Sequence, residues 1–276
     1  MTIVNTNVKA LIAQQSLTVN ERSLSKAMAQ LSTGKRIVSA ADDAAGLAIS
    51  DRMSSQIRSL GQAVRNANDG ISMLQTVEGA LNNVSGLLQR MRELAVQSVN
   101  GTNSATDRQS IDTEFDQLQS EISLISSKTS WNGIQVTGAS AGSYTFQIGA
   151  DSGATVTVSL QDVASGITGM PTVLSSTATL STDTGAQTVI GQLDTAITNL
   201  NTYRSSLGAY QNRFTYAADN LTNVATNTAA SRSRIMDTDY AQATSALARS
   251  QIIQQAGTAM LAQANQQPVY VLALLR

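Results

Sequence analysis

The chain has 276 residues, which is long enough to bury a sizeable core without a disulfide or a metal. It contains no Cys and no His, and this excludes Cys/His zinc sites, thiol nucleophiles and a Ser-His-Asp triad. With a net charge of −1 and only 13% charged residues, it also lacks the electrostatic footprint that nucleic acid or an anionic membrane would require.

Targeting segments are also missing from the sequence. Residues 1–15 lack the basic flank and continuous apolar core of a cleaved secretory signal, and no stretch reaches the roughly 18 uncharged apolar residues of a membrane span. No local cluster of carboxylates indicates a catalytic site. These signals alone predict a cytoplasmic protein with no cofactor, no metal, no nucleic-acid partner and no membrane partner.

The first predicted helix spans residues 5–31, where apolar residues recur at helical spacing. Asn5 or Thr6 is suited to cap its start. Gly34 is suited to end it as a residue with a left-handed backbone.

An acidic pair, Asp42 and Asp43, lies in the Ala-rich segment 35–50. We expect a helix to start here, with Ser39 or Asp42 as its N-cap and acidic residues favoured by the helix dipole. The alternative is a metal-binding or catalytic pair, but no further ligand lies nearby.

The longest predicted helix carries an apolar stripe from Met53 to Ala95. The stripe follows the four- and three-residue steps of a coiled-coil seam, with one shortened step, a stammer, between Ile71 and Val77. A helix of about 50 residues is roughly 75 Å long, so we expect a rod that needs a partner helix. The stripe consists of Met53, Ile57, Leu60, Val64, Ala67, Ile71, Leu74, Val77, Leu81, Val84, Leu88, Met91 and Ala95.

A turn over residues 99–107 separates this helix from a shorter one, predicted over residues 108–128. The shorter helix should fold back antiparallel on the end of the long one. Its apolar residues are Ile111, Phe115, Leu118, Ile122 and Ile125.

A change of composition to Gly, Ser, Thr and Val starts at Trp131. Alternating apolar residues at 144–148 and 156–160, on either side of a loop at 149–154, predict a β-hairpin. A loop-rich segment should follow up to Thr188, and its Ser and Thr residues favour a solvated surface loop over a glycan-bearing one.

Helical periodicity returns at Leu193 and continues to Val224, with one shortened step between Leu200 and Tyr203. This stripe is the predicted antiparallel partner of the first long helix. Residues 231–239 should form a charged connector, and a last helix should run from residue 240 to Pro268.

These elements predict a mainly α fold: a long antiparallel coiled-coil rod with a small β-hairpin region, plus paired N- and C-terminal helices. The predicted domains are an inner terminal coiled coil, residues 1–40 and 235–276, and a rod, residues 41–234. Within the rod we expect the hairpin at about 140–162 and the loop-rich segment at 163–190.

The terminal helices are apolar on more than one face. One pair of helices cannot bury all of that surface, so these helices are either disordered in the isolated monomer or covered by neighbouring copies. A heterologous contact between copies yields an open helical filament if its rotation does not close. The residues predicted for this contact are Val8, Leu11, Leu24, Met28, Leu31, Leu247, Ile253, Met260, Leu261, Leu272 and Leu275.

Several motifs in the same order resemble bacterial flagellin, the filament subunit of the flagellum. They are IVNTNVKAL at 3–11, LSTGKRIVSAADDAAGLAI at 31–49, QRMRELAVQ at 89–97, DNLTNV at 219–224, and the final LLR preceded by Ala264, Asn265 and Gln266. The resemblance covers both ends and most of the helical part, and it is weakest over residues 138–190.

The resemblance implies a structural, non-enzymatic and extracellular protein, and it overrules the cytoplasmic prediction. It implies a short flagellin without large outer domains, exported unfolded through the flagellar type III apparatus. The implied partners are further copies of the chain, an export chaperone and the export gate, the filament cap and hook-filament junction proteins, and the flagellin-sensing Toll-like receptor of hosts.

The resemblance also assigns one surface residue by residue. Gln89, Arg90, Arg92, Leu94 and Gln97, with Glu114 on the adjacent helix, match the family segment that is recognised by the receptor and buried between subunits in the filament. Arginine and a leucine anchor are also suited to an interface on physical grounds.

Near the C-terminal end the sequence departs from the family. Val269-Tyr270 and Ala273 make it more apolar than in usual members, and this bears on how the chaperone fits.

Three other readings compete with the filament subunit. A hook-filament junction protein shares the terminal helical pattern, but QRMRELAVQ matches the filament protein more closely. A flagellin-like zinc protease is excluded because the chain has no His and no HExxH motif. A helical binding module that never polymerises would have to satisfy its terminal apolar stripes within one chain.

Overall fold

A computed structural model of the chain describes residues 6–273, with side chains described for residues 6–266. The described residues form six helices and four short strands, so the predicted mainly α fold is confirmed. In chain order the elements are α1 (Val8–Thr33), α2 (Ala44–Val99), α3 (Ala105–Lys128), β1 (Ser130–Trp131), β2 (Ile134–Gln135), β3 (Ser143–Gln147), β4 (Thr155–Ser159), α4 (Met170–Val173), α5 (Asp183–Met236) and α6 (Tyr240–Ala273).

The chain forms two compact units. Arg58–Ala225 is the central unit, and the described residues on either side of it form the terminal unit. The division falls inside α2 and inside α5. The domain boundaries predicted near residues 40 and 235 stay a prediction.

The two long helices of the central unit run antiparallel. Arg92 Nε lies 2.7 Å from Asp194 Oδ1, and Arg204 Nη2 lies 2.6 Å from Glu78 Oε1, so residue numbers rise along α2 as they fall along α5. The apolar stripes meet in the core, as predicted. The largest fully buried side chains of this core include Phe115, Phe214, Met73, Leu74, Leu81, Leu88, Met91, Leu94, Ile122, Met170 and Leu180.

Both predicted stammers are wrong because small residues occupy seam positions. In α2 Gly70 is buried and Ile71 only half-buried; a Cβ on Gly70 would lie 3.0 Å from the Phe214 ring, which fills the space. In α5 Ala196 is buried and Ile197 is half-buried. The buried stripe of α2 therefore alternates steps of three and four without a break: Leu60, Ala63, Ala67, Gly70, Leu74, Val77, Leu81, Val84, Leu88, Met91, Ala95 and Ser98.

Helix α1 starts later than predicted and ends as predicted. Asn7, rather than Asn5 or Thr6, is its N-cap, and its side chain accepts a hydrogen bond of 3.1 Å from the Ala10 N–H. Gly34 ends the helix with a φ of 69°, the left-handed geometry that glycine adopts without steric cost.

The two residues of the acidic pair have different roles at the start of α2. Asp43, rather than Ser39 or Asp42, accepts the N-terminal hydrogen bond, from the Gly46 N–H at 2.8 Å. Asp42 accepts instead from the backbone N–H groups of Val38 and Ser39, each at 3.1 Å, and so holds the turn before the helix.

Helix α3 begins three residues before the predicted Arg108. Ser104 and Asp107 form a capping box, in which the Ser104 hydroxyl accepts from the Asp107 N–H while the Asp107 carboxylate accepts from the Ser104 N–H. The helix folds back along α2, and it buries Phe115 and Ile122.

Two hairpins follow α3. The predicted one is confirmed: Tyr144 pairs with Val158 and Phe146 with Val156. A smaller one, β1 with β2, was not predicted. It turns at Asn132 and Gly133, which both have positive φ, 49° and 78°, as the favoured two-residue hairpin turn requires.

The segment 160–182, here called the strap, replaces the predicted loop over 163–190. It contains α4, and α5 already begins at Asp183 because Thr182 caps it, its hydroxyl accepting from the Gly185 N–H at 3.2 Å. The strap buries Val163, Ile167, Met170, Val173, Ala178 and Leu180.

The last connector is shorter and the last helix longer than predicted. Helix α5 continues through the charged residues to Met236, because arginine is a good helix former, and only residues 237–239 separate it from α6. Helix α6 runs past Pro268 to Ala273, since a proline can bend a helix without ending it.

Candidate assembly surfaces

The terminal unit contains an antiparallel pair of helices, α1 and α6. The Nδ2 atom of Asn7 donates to the Ala264 carbonyl and that of Asn20 to the Ser250 carbonyl, both at 2.8 Å. The first and last helices therefore form a pair, as predicted.

Small and polar residues form the contact between these two helices. Asn20, Ala27, Ala243 and Ser250 are the buried residues, at 4–7% exposure. The helices approach so closely that a Cβ on Gly257 would lie 2.6 Å from the Leu17 Cδ2. Close contact of this kind leaves large side chains outside the seam.

Most large apolar side chains of the pair are exposed. Leu11 is 56% exposed, Met260 65% and Ile252 65%. Of the residues predicted for polymerisation, Val8, Leu11, Met28, Ile253 and Met260 are exposed, whereas Leu24, Leu31, Leu247 and Leu261 are half-buried. Leu275 lies outside the described residues, and Leu272 lies in the part of α6 of which only the backbone is described.

An open apolar groove runs between α1 and α6. It has a volume of about 480 Å³, and its lining includes Ile12, Leu17, Ile253 and Met260. Groove and exposed side chains together make an apolar surface, here called the terminal face, that none of the side chains described for residues 6–266 covers. Faces of this kind mark protein interaction sites.

An ion pair holds the turn next to this helix pair. Lys26 Nζ lies 2.8 Å from Asp42 Oδ1. The Lys26 ammonium, together with the N–H groups of Ser39 and Val38, lowers the pKa of the Asp42 carboxyl to about 2. Asp42 therefore stays ionised well into the acid range.

Two peptide segments of the terminal unit are joined at the end of the pair. Arg36 donates from Nη2 to the Ile235 carbonyl at 2.6 Å, and the Thr238 N–H donates to the Gly34 carbonyl at 3.0 Å. These bonds fix the last residues of α5 against the end of α1.

In the central unit, a second surface is formed by Gln89, Arg90, Arg92, Gln97 and Glu114, here called the α2–α3 surface. All five residues are exposed, and α2 carries the first four while α3 supplies Glu114. The structure thus brings together five of the six residues assigned by resemblance.

Ion pairs order the arginines of the α2–α3 surface. Arg90 Nη2 lies 2.9 Å from Glu114 Oε1, and its Nη1 lies 3.1 Å from Glu93 Oε2. Hydrogen bonds to Glu114 and then Glu93 raise the pKa of the Arg90 guanidinium above its usual value. Arg92 and Asp194 form a second hydrogen-bonded ion pair. It raises the pKa of the Arg92 guanidinium and lowers the pKa of the Asp194 carboxyl.

Leu94, the sixth assigned residue, is not on this surface. It is 1% exposed and packs in the core of the central unit. Val96, which sequence reasoning did not single out, is 51% exposed and borders a shallow depression together with Gln89, Arg92 and Gln97. Its place off the apolar seam was the signal that could have identified it.

Neither surface has the features of a metal site or a membrane span. Within the described part of the chain, no group of three or more carboxylates lies close enough to hold a metal ion. None of the described helices is long and apolar enough to cross a membrane.

Comparison with known proteins identifies the family. Residues 4–141 match the family model for the bacterial flagellin N-terminal helical region, and residues 190–275 match that for the C-terminal helical region. A flagellin of Halalkalibacterium halodurans is 44% identical over 274 residues, which cover 99% of this chain and all of that protein.

Two further relatives extend the comparison. Flagellin B of Vibrio cholerae is 36% identical over an alignment of 371 residues that covers 99% of both chains, so it contains residues that this chain lacks. The crystal structure of Bacillus cereus flagellin, 38% identical, covers 61% of this chain and 94% of its own, with a TM-score of 0.51. The chain therefore belongs to the bacterial flagellins, the structural proteins of the extracellular flagellar filament.

Proposed function

We propose that this flagellin polymerises through its terminal unit, with the α1–α6 pair as the inner part of the filament and the central unit around it. One observation carries the proposal: the terminal face is apolar, and no side chain of residues 6–266 covers it. Val8, Leu11, Ile12, Ile252 and Met260 are 48–65% exposed there. Full burial of such a side chain contributes about 1.5–3 kcal/mol, and about half of that remains to be gained against another copy because about half of each side chain is already covered.

The test removes apolar surface without touching the helix seam. Leu11→Gln and Ile252→Gln, combined in one chain, should abolish filament growth while the free energy of unfolding changes by less than about 0.5 kcal/mol. Light scattering and electron microscopy measure growth from filament seeds, and circular dichroism measures stability.

Gln15→Asn serves as the matched control, because Gln15 is exposed on the same helix and is already polar. It should assemble at the wild-type rate. Filaments of wild-type length from the double variant would contradict the proposal, and so would a wild-type chain that stays monomeric under every assembly condition.

The α2–α3 surface is proposed to serve twice. It packs against the next copy along the filament, and on the free subunit it is recognised by the flagellin-sensing Toll-like receptor of hosts. The support is the exposed arginine pair, Arg90 and Arg92, held in place by carboxylates, since preorganised arginines are frequent interface hot spots.

Receptor binding to the soluble subunit tests the second role. Arg90→Ala should weaken binding by at least about tenfold, the usual loss at an interface hot spot. Arg213→Ala is the control because Arg213 is also exposed in the central unit but lies on α5. Equal affinities for the wild type and for Arg90→Ala would contradict the receptor role.

Export of the unfolded chain through the flagellar type III apparatus is the third part of the proposal. An export chaperone would hold the C-terminal segment, the export gate would admit it, and the cap and hook-filament junction proteins would meet it outside. The absence of Cys supports this part of the proposal, because a chain that forms no disulfide can pass through a narrow channel unfolded. Replacing Val269 and Tyr270 by serine should change chaperone affinity measured by calorimetry, and an unchanged affinity would place the chaperone contact elsewhere.

The alternative function is that of a hook-filament junction protein. The two differ in the extent of assembly, because a junction protein forms a bounded layer whereas a filament subunit adds without limit. Filament length as a function of added subunit separates them: a length that stops growing while free subunit remains would favour the alternative.

A further inference from the structure

Charge is unevenly distributed within the central unit. Helix α3 carries five carboxylates against two cations, whereas residues 58–69 of α2 carry two arginines, Arg58 and Arg65, against one carboxylate, Asp69, with which neither arginine forms an ion pair. The net charge of −1 for the whole chain therefore conceals a basic region and an acidic region in the same unit.

The two arginines of the basic region have no acidic partner. Arg58 and Arg65 are both exposed, and neither belongs to any ion pair among residues 6–266. Arg65 donates only to the neutral Gln62 side chain, from Nη2 to Oε1 at 2.7 Å. Among the other arginines of this unit, Arg90, Arg92 and Arg204 each hold a carboxylate. Arg108 and Arg213 belong to no ion pair with a described residue.

The carboxylates of α3 include a regular edge. Asp107, Glu114 and Glu121 follow one another at seven-residue intervals, so they lie on one side of the helix, and Lys128 ends the series. Glu121 is exposed and forms no ion pair with any described residue. Here this side of α3 is called the acidic edge.

The spacing of the basic residues matches that of the acidic edge. Arg58 and Arg65 are also seven residues apart, and in both helices seven residues span about 10.5 Å. Two arginines on one helix can therefore face two carboxylates on another without a change of register.

The chain already makes one contact of this kind internally. Arg90 lies within about 50° of Arg65 around α2, because 25 residues exceed seven turns of the 3.5-residue seam by about one seventh of a turn, and there it binds Glu114 of the acidic edge at 2.9 Å. Since α3 runs back along α2 and ends at Lys128, it offers no carboxylate opposite Arg65 or Arg58.

We propose that the side of α2 bearing Arg58 and Arg65 binds the acidic edge of α3 from a second copy of this chain. Because α3 runs opposite to α2 and the copies of a filament repeat in one direction, Arg58 faces Glu121 and Arg65 faces Glu114. The inference rests on the proposed function, because it assumes that copies associate, and it specifies which part of each central unit meets the other. The two surfaces differ, so the contact is heterologous and leaves one of each free for the next copy.

A charge swap tests the contact. Arg58→Glu and Glu121→Lys, each alone, should slow seeded filament growth by at least about tenfold at low ionic strength, because they place like charges opposite each other. Both changes in one chain should restore growth to within about threefold of the wild type, since every contact regains opposite charges. In 0.5 M NaCl all the differences should shrink, because salt shortens the Debye length.

Arg213→Glu is the matched control, with the same charge reversal at an exposed arginine of α5. It should grow like the wild type, and circular dichroism should show the same helicity for all variants. Single variants that grow at the wild-type rate, a swap that is no better than the single changes, or an Arg213→Glu chain that is equally slow would each overturn the inference. A wild-type chain that does not grow would overturn the proposed function as well.

Discussion

The central unit and the α1–α6 pair are both built from antiparallel helices, yet they bury different kinds of side chain. The seam of the central unit contains Leu74, Leu88 and Phe214, all fully buried. The seam of the terminal pair buries Asn20 and Ala27, and most of the large apolar residues of the pair are exposed. The first seam completes its burial within one copy, whereas the second leaves apolar surface that another copy can cover.

This difference separates two tasks along one chain. A seam of large residues stabilises the folded subunit by removing apolar area from water. A seam of small residues holds two helices close and reserves the large side chains for contact between copies. Stability and assembly should therefore respond to different substitutions.

The largest effect is expected for Phe214→Ala, which removes the ring at the meeting point of α2, α5 and the hairpin. The ring is fully buried, and its centroid lies 5.4 Å from that of Phe146 in an edge-on contact. The free energy of unfolding of the central unit should fall by about 3–5 kcal/mol. Denaturant unfolding followed by circular dichroism measures it.

The counterpart on the terminal pair is Leu11→Ala, at a side chain that is 56% exposed. It should leave the free energy of unfolding within about 0.5 kcal/mol of the wild type and act on assembly instead. Similar losses of stability for the two variants would break the comparison.

A smaller loss is expected for the buried carboxylate of the central unit. Asp112 accepts hydrogen bonds from the Leu180 N–H at 2.5 Å and from the Thr179 hydroxyl at 2.8 Å, and so fastens the strap to α3. Asp112→Ala leaves the buried Leu180 N–H without this acceptor, which should cost about 2–3 kcal/mol.

The buried amide of the terminal pair provides the contrast to Asp112. Asn20→Ala removes a donor to the Ser250 carbonyl, an acceptor within a helix, and should cost about 1 kcal/mol. Denaturant midpoints of the two variants compare the costs. A larger loss for Asn20→Ala than for Asp112→Ala would reverse the assigned importance of the two polar contacts.

Gly70→Ala tests whether small residues in the long seam are required for packing. The added methyl group would lie 3.0 Å from the Phe214 ring, so the free energy of unfolding should fall by about 1–3 kcal/mol.

Gly61→Ala in the same helix is the control, because its added methyl group meets nothing within 4 Å. It should raise stability by up to about 1 kcal/mol through helix propensity. Thermal unfolding shows whether each variant is more or less stable than the wild type. A stabilising Gly70→Ala would show that the packing of Phe214 does not require the space left by Gly70.

The smallest effect is a pH dependence confined to the terminal unit. The pKa of Asp42 is lowered from 3.8 to about 2 in the folded chain, so its ionised form stabilises the fold above about pH 4, and this contribution is lost as the pH falls toward 2. Asp42→Asn should flatten the pH dependence of thermal unfolding over that window. Lys26→Met should flatten it in part, because the backbone donors remain. An unchanged slope in both variants would contradict the role of this ion pair.

The sequence predicts the elements that have a regular apolar spacing and misses the features that depend on how side chains fit together in the core. The long helices, their antiparallel pairing, the hairpin at 144–158 and the role of Gly34 all follow from apolar spacing and turn chemistry. The stammer predicted in α2 is absent. The apolar pattern assigned Ile71 to the seam, whereas the folded chain buries Gly70 there, against the ring of Phe214. A residue without a side chain carries no signal in such a pattern.

The candidate surfaces were predictable to different degrees. Apolar residues on several faces of the terminal helices already indicated an uncovered surface, which the exposure of Leu11 and Met260 matches. Resemblance grouped the residues of the α2–α3 surface correctly but placed Leu94 among them, because a motif records position along the chain and not burial. The cap of α2 was predicted at Ser39 or Asp42, whereas Asp43 accepts the N-terminal hydrogen bond, because residue type alone does not show which of several capping residues the backbone places at the helix start.

The pairing of the chain ends also has a consequence for folding order. Asn7 and Ala264 are 257 residues apart, whereas Arg90 and Glu114 are 24 apart, and closing the longer loop in an unfolded chain costs about 2 kcal/mol more in conformational entropy. Once the central unit forms, Leu60 and Leu221 lie in one apolar cluster, and most of that entropy has already been lost. Because its contacts join residues so far apart in the chain, the α1–α6 pair, which carries the terminal face, should be the last part of each copy to fold.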